Sequence, residues 1–133
     1  MSRERQKGTR WETAIRDYLT AEGIEVHRQP AHGINDKGDL HVGEDVVIEA
    51  KNQARHSLGE WLDEATTEAV NAARDVGAVW FHRRGKSSPR DGYVLMDGAT
   101  FTYLIREAGM AGRPPRTPSP THPRVELTIE ETP

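Results

Sequence analysis

The chain has 133 residues, no cysteine and a net charge of −3 from 18 basic and 21 acidic side chains. That length suits one domain with a real core rather than two, and the absence of cysteine excludes disulfides and thiol catalysis. No hydrophobic run approaches a membrane span and no apolar signal segment follows the basic N-terminus, so the expected location is the cytoplasm; the mild acidity does not suit a nonspecific nucleic-acid coat, but it leaves room for a local basic patch.

In chain order, Thr9 opens an expected helix to about Ala21, with Trp11, Ile15, Tyr18 and Leu19 at helical spacing and Gly23 as a stop. A short strand, Ile24 to Arg28, leads through a loop over Gln29 to Gly38 into a hairpin. The runs Asp39-Leu40-His41-Val42 and Val46-Val47-Ile48-Glu49-Ala50-Lys51 flank Gly43-Glu44-Asp45. Ser57-Leu58-Gly59-Glu60 has the capping-box pattern, and Leu58, Trp61, Leu62, Ala65, Ala69, Ala72 and Ala73 supply the apolar stripe of a second helix. Its Glu60, Glu64 and Glu68 form a ridge expected to face solvent and to point away from any nucleic acid. A buried strand over Ala78 to His82, a basic loop from Arg83 to Gly92, a strand over Tyr93 to Met96 and a helix over Thr100 to Ala108 complete the order αβββαβ followed by βα. From Gly112 the chain turns proline-rich, which divides it into a domain at 1–111 and a tail at 112–133. The alternating Val125-Glu126-Leu127-Thr128-Ile129-Glu130 would suit an edge strand.

The hairpin carries the chemistry. A three-residue loop at Gly43-Glu44-Asp45 places Val42 opposite Val46, Leu40 opposite Ile48 and Asp39 opposite Glu49. Alternation then sends Asp39, His41, Val47, Glu49 and Lys51 to one face. Two opposed carboxylates repel unless a cation lies between them. Oxygen ligands suit Mg²⁺, with Mn²⁺ as a substitute. A solvated outer face of an ordinary hairpin is the competing reading. Glu12 also has two readings, because Thr9-x-x-Glu12 is itself a capping box. Lys7, Thr9 and Arg10 stand where a helix N-terminus would hold a phosphate. Arg83, Arg84 and Lys86 form a second basic group suited to a nucleic-acid backbone or simply to solvent.

Gly38-Asp39 followed by Glu49-Ala50-Lys51 resembles the D…E-x-K signature of the PD-(D/E)XK nuclease superfamily. Lys7-Gly8-Thr9-Arg10-Trp11-Glu12 and Gly23-Ile24-Glu25-Val26-His27-Arg28 resemble the opening of the archaeal-type Holliday junction resolvases and their phage relatives, so the likeness covers roughly residues 5–83. Gly38 stands where that family has its name-giving proline. The resemblance implies a restriction-endonuclease-like αβββαβ core, an α/β fold with a mixed central sheet flanked by helices. It implies Mg²⁺-dependent DNA cleavage in which Asp39, Glu49 and the Ala50 carbonyl hold the metal, Glu12 completes its shell and Lys51 orients water or offsets phosphate charge. Arg28 and Gln53 become expected DNA contacts beside Lys7, Thr9, Arg10, Arg83, Arg84 and Lys86. The implied partner is a branched four-way DNA junction and the implied assembly a homodimer acting in recombination and repair. A restriction-type, repair or exonucleolytic enzyme of the same superfamily, and a noncatalytic DNA-binding module on that scaffold, are the alternatives.

Overall fold

The computed structural model describes residues 2–30 and 39–112. The Pro-rich tail beyond Gly112, with its suggested edge strand, lies outside the described residues, as do Gly38 and most of the loop before the hairpin. Among the described residues three α-helices and five strands follow one another as α1 (Arg3–Ala21), β1 (Val26–Arg28), β2 (Leu40–Val42), β3 (Val46–Lys51), α2 (Leu58–Asn71), β4 (Val76–Phe81), β5 (Tyr93–Leu95) and α3 (Gly98–Glu107), with a single 3-10 turn at Pro89–Asp91 between β4 and β5. This is the expected element order. The strands form one mixed sheet in the order β1-β2-β3-β4-β5, in which only β3 and β4 run parallel. Helix α2 is the crossover that this parallel pair requires.

The hairpin has the expected register, with Leu40 opposite Ile48 and Val42 opposite Val46. Gly43, at φ 54°, supplies the left-handed residue that so short a loop needs. Leu40 and Ile48 face α1 and pack with Trp11, Ile15 and Leu19, which recur every four residues along that helix. The Trp11 indole Nε1 donates to the Trp80 carbonyl at 3.0 Å and pins α1 across the sheet. The opposite face is covered as well. Val47 and Val79 are fully buried there, and Trp61 and Ala65 of α2 pack over Val79 and Phe81. A solvated outer face is therefore excluded for this hairpin.

Helix α2 comes very close to the sheet because Gly77, paired with Val47 on that face, has no side chain. A Cβ at Gly77 would lie 2.4 Å from the Ala65 carbonyl oxygen. Only glycine permits that approach.

All three helices differ from expectation at a boundary; α3 begins at Gly98, where the Asp97 carboxylate accepts the Thr100 N–H at 2.7 Å, rather than at Thr100. Helix α1 begins at Arg3, where the Ser2 hydroxyl accepts from the Arg5 N–H at 3.2 Å. The run Arg3-Glu4-Arg5-Gln6-Lys7 favours helix strongly enough to carry it through Gly8, whose cost is about 1 kcal/mol. Thr9 is then interior, so neither a cap at Thr9 nor an anion site at amides there exists. At α2, Ser57 makes no side-chain cap bond, and the helix ends at Asn71 with Ala73 left-handed at φ 54°. Among the described residues no helix is long and apolar enough to cross a membrane.

Candidate functional site

The C-terminal end of β3 and the start of β2 open onto a cleft of about 420 Å³. Asp39 enters from one residue before β2, beyond the Leu40–Ile48 pair. Its Oδ2 accepts the Ala50 N–H at 2.9 Å, which fixes the carboxylate beside Glu49. Glu49 is almost sealed from solvent, and among the described residues no hydrogen-bond donor reaches its Oε2. Lys51, two residues on and on the same face, sets its Nζ 3.4 Å from Glu49 Oε1 and 3.0 Å from Glu64 Oε2. Glu12, Thr9, Asn52 and Gln53 line the same cleft. Sequence alternation thus brings Asp39, Glu49 and Lys51 together as expected.

The electrostatics follow from this placement. Burial raises the Asp39 carboxyl to about 6; the Ala50 N–H opposes that rise and the Glu12 charge adds to it. Burial likewise pushes Glu49 far above the usual carboxylate range, with the carboxyls of Glu68 and Asp39 pushing further. Burial acts to lower the Lys51 ammonium, but its hydrogen bond to Glu64 and the neighbouring carboxylates outweigh this, and the group is held above its ordinary value. The site therefore has more carboxyl groups than one ammonium can neutralise.

Two acidic groupings share Glu49. The carboxylates of Glu49, Glu64 and Glu68 offer ligand atoms within 4.8 Å of one another, but the Lys51 ammonium already bridges Glu49 and Glu64. The Asp39–Glu49 pair lines the cleft, which Glu64 and Glu68 do not. This second grouping, with the Ala50 carbonyl alongside, fits a hard divalent cation held by oxygen ligands.

Of the acidic ridge of α2, Glu60 faces solvent as expected, but Glu64 and Glu68 turn inward. Glu68 is 2% exposed, and Glu64 turns onto Lys51. The signal that could have revealed this is the adjacency of Ala65 and Ala69, small residues that let a helix lie close to a sheet and bury the glutamates beside them. Glu12 reaches the cleft, yet its Oε1 accepts from Arg28 Nε at 2.7 Å. Arg28 also donates to the Thr9 carbonyl at 3.1 Å, so its guanidinium is tied to α1.

The basic residues divide. Lys7 and Arg10 project from the second turn of α1 and, with Arg3, line a neighbouring hollow floored by Trp11 and His82. Lys7, Arg84, Gln53 and His56 line another, and Asn52 belongs to all three. A continuous surface thus runs from the carboxylates across Asn52 and Gln53 to Lys7 and Arg84. Arg83 turns aside, with its guanidinium 5.5 Å above the Tyr93 ring. Lys86 sits in the turn closed by its own N–H on the Arg83 carbonyl and lines none of these hollows. His56 and His82 border the surface, and no spacing in the sequence marks them. Comparison of the chain with protein-family models, curated proteins and solved structures gives no significant match.

Proposed function

We propose that the protein is a divalent-metal-dependent DNA endonuclease of the PD-(D/E)XK type, acting on branched DNA as a homodimeric junction resolvase. The observation that carries this reading is the convergence of Asp39, Glu49 and Lys51 on one cleft that continues into a basic surface. A nucleic-acid backbone needs such a surface for neutralisation, and phosphodiester cleavage needs concentrated charge at one point along it. A cation held by Asp39, Glu49 and the Ala50 carbonyl would acidify water and neutralise the phosphate.

The remaining roles belong to the chain itself. Lys51 directs an ammonium at the scissile phosphate from a nearly buried stem. Glu12 adds negative charge at the cleft wall and is steadied there by Arg28. Lys7, Arg10 and Arg84 hold flanking phosphates, and Gln53 bridges the two regions. Two such sites related by a two-fold axis would nick a four-way junction symmetrically.

The test is cleavage of a labelled four-way junction beside linear duplex, single strand and flap, each with Mg²⁺ or EDTA. Paired symmetric nicks confined to the junction are expected. Metal-dependent cutting of another form would keep the site and replace the resolvase reading with that of another nuclease. Binding without cutting of any form would leave a noncatalytic scaffold.

A further inference from the structure

Lys51 has an anchor that the hairpin does not supply. Its Nζ lies nearer to Glu64 of α2, at 3.0 Å, than to Glu49 of its own strand, at 3.4 Å. The Lys51 side chain is 15% exposed and that of Glu64 40%, so the pair sits at the rim of the cleft with the amine largely covered. Glu64 itself is held by what surrounds it in α2. Ala65 is fully buried, and its carbonyl lies against Gly77, so the backbone bearing Glu64 is fixed to the sheet.

We infer that Glu64 is the positioning residue for Lys51, setting the ammonium of β3 from a separate helix. This rests on the nuclease reading above, in which Glu49 is engaged by a cation and Glu64 is left as the carboxylate that directs the amine. A lysine stem has four rotatable bonds and a compact charge, so one charge-assisted hydrogen bond decides where the ammonium stands. Without Glu64 the amine keeps its charge but loses its bearing. A misplacement of about 1 Å is enough to cost ~100-fold in rate.

The experiment is single-turnover cleavage by the full chain with Mg²⁺, beside DNA binding measured in EDTA, for wild type, Glu64→Gln, Glu64→Ala and Lys51→Met. Glu64→Ala is expected to cut ~10- to 100-fold more slowly while binding DNA as tightly as wild type or more so, since a partly exposed negative charge is gone. Glu64→Gln keeps an acceptor oxygen in the same place and should recover several-fold of the lost rate. Unchanged cleavage, weaker binding as the sole defect, or equal losses in Gln and Ala would overturn the inference. If Glu64→Ala does not fold, the nearly isosteric Glu64→Gln decides: a several-fold slower rate with unchanged binding supports the inference, and a wild-type rate overturns it. Cutting by wild type that persists in Lys51→Met would overturn the role of Lys51 and with it that of Glu64. An inert wild type would instead remove the nuclease reading on which both stand.

Discussion

Asp39→Asn measures how much conformational stability is given up to assemble the site. In the folded protein burial raises the Asp39 carboxyl from 3.8 to about 6. Below pH 3.8 the group is protonated whether the chain is folded or not. Between 3.8 and 6 the unfolded chain ionises while the folded protein retains its proton, so stability falls as pH rises. Above 6 the loss is complete, and a displacement of that size amounts to roughly 3 kcal/mol, at about 1.4 kcal/mol for each pH unit. Asparagine cannot ionise, and its side-chain oxygen can still accept the Ala50 N–H. In EDTA, urea denaturation followed by circular dichroism should therefore give similar stabilities for both proteins at pH 4. By pH 7.5 the variant should be more stable by about 1–3 kcal/mol. The wild-type-minus-variant difference cancels the titration of every other group to first order. A difference that stays flat from pH 4 to 7.5 would refute the claim that partial burial disfavours the Asp39 charge more than the Ala50 N–H favours it.

Glu49 is held protonated more strongly than Asp39, so it must surrender a proton to hold a cation. The apparent Mg²⁺ affinity, measured by calorimetric titration, should rise by up to about tenfold per pH unit near neutrality, and a pH-independent affinity would contradict this. Gly77→Ala places a methyl against the Ala65 carbonyl and should destabilise the fold by about 1–3 kcal/mol or more in urea melts; wild-type stability would mean that α2 does not lie so close. Lys7→Ala and Arg84→Ala should each weaken DNA binding alike for all sequences and reduce the slope of log affinity against log salt by about 1. An unchanged slope in both would remove the basic surface from the DNA path.

The hairpin was readable because alternation has a period of two: once Leu40 and Ile48 are assigned to the core, Asp39, Glu49 and Lys51 can only lie on the other face. What alternation cannot say is what covers that face. The Glu60-Glu64-Glu68 ridge has the spacing of a solvated helix surface, and its inward turn at Glu64 and Glu68 depends on Gly77, a residue on a different element that lets α2 approach. The start of α1 was obscured by Gly8, which interrupts helical propensity without ending the helix. The Ser2 cap that determines the start lies seven residues before the Thr9 that resembles one. Arg28 has a partner that its position in the sequence does not announce. Its charge suits a phosphate, but Glu12, sixteen residues away, engages it first at 2.7 Å.

The central claim is that Asp39, Glu49 and Lys51 form one hydrolytic, metal-dependent site, and it is met most directly by single-turnover hydrolysis of a four-way junction by wild type and Glu49→Gln, with Mg²⁺ or EDTA. Glutamine keeps the shape of the side chain and its buried position while removing the charge that would hold a cation. Wild type should leave 5′-phosphate and 3′-hydroxyl ends only with Mg²⁺, and Glu49→Gln should bind the junction normally and leave it intact. Cleavage by Glu49→Gln at the wild-type rate, or by wild type in EDTA, would contradict the account.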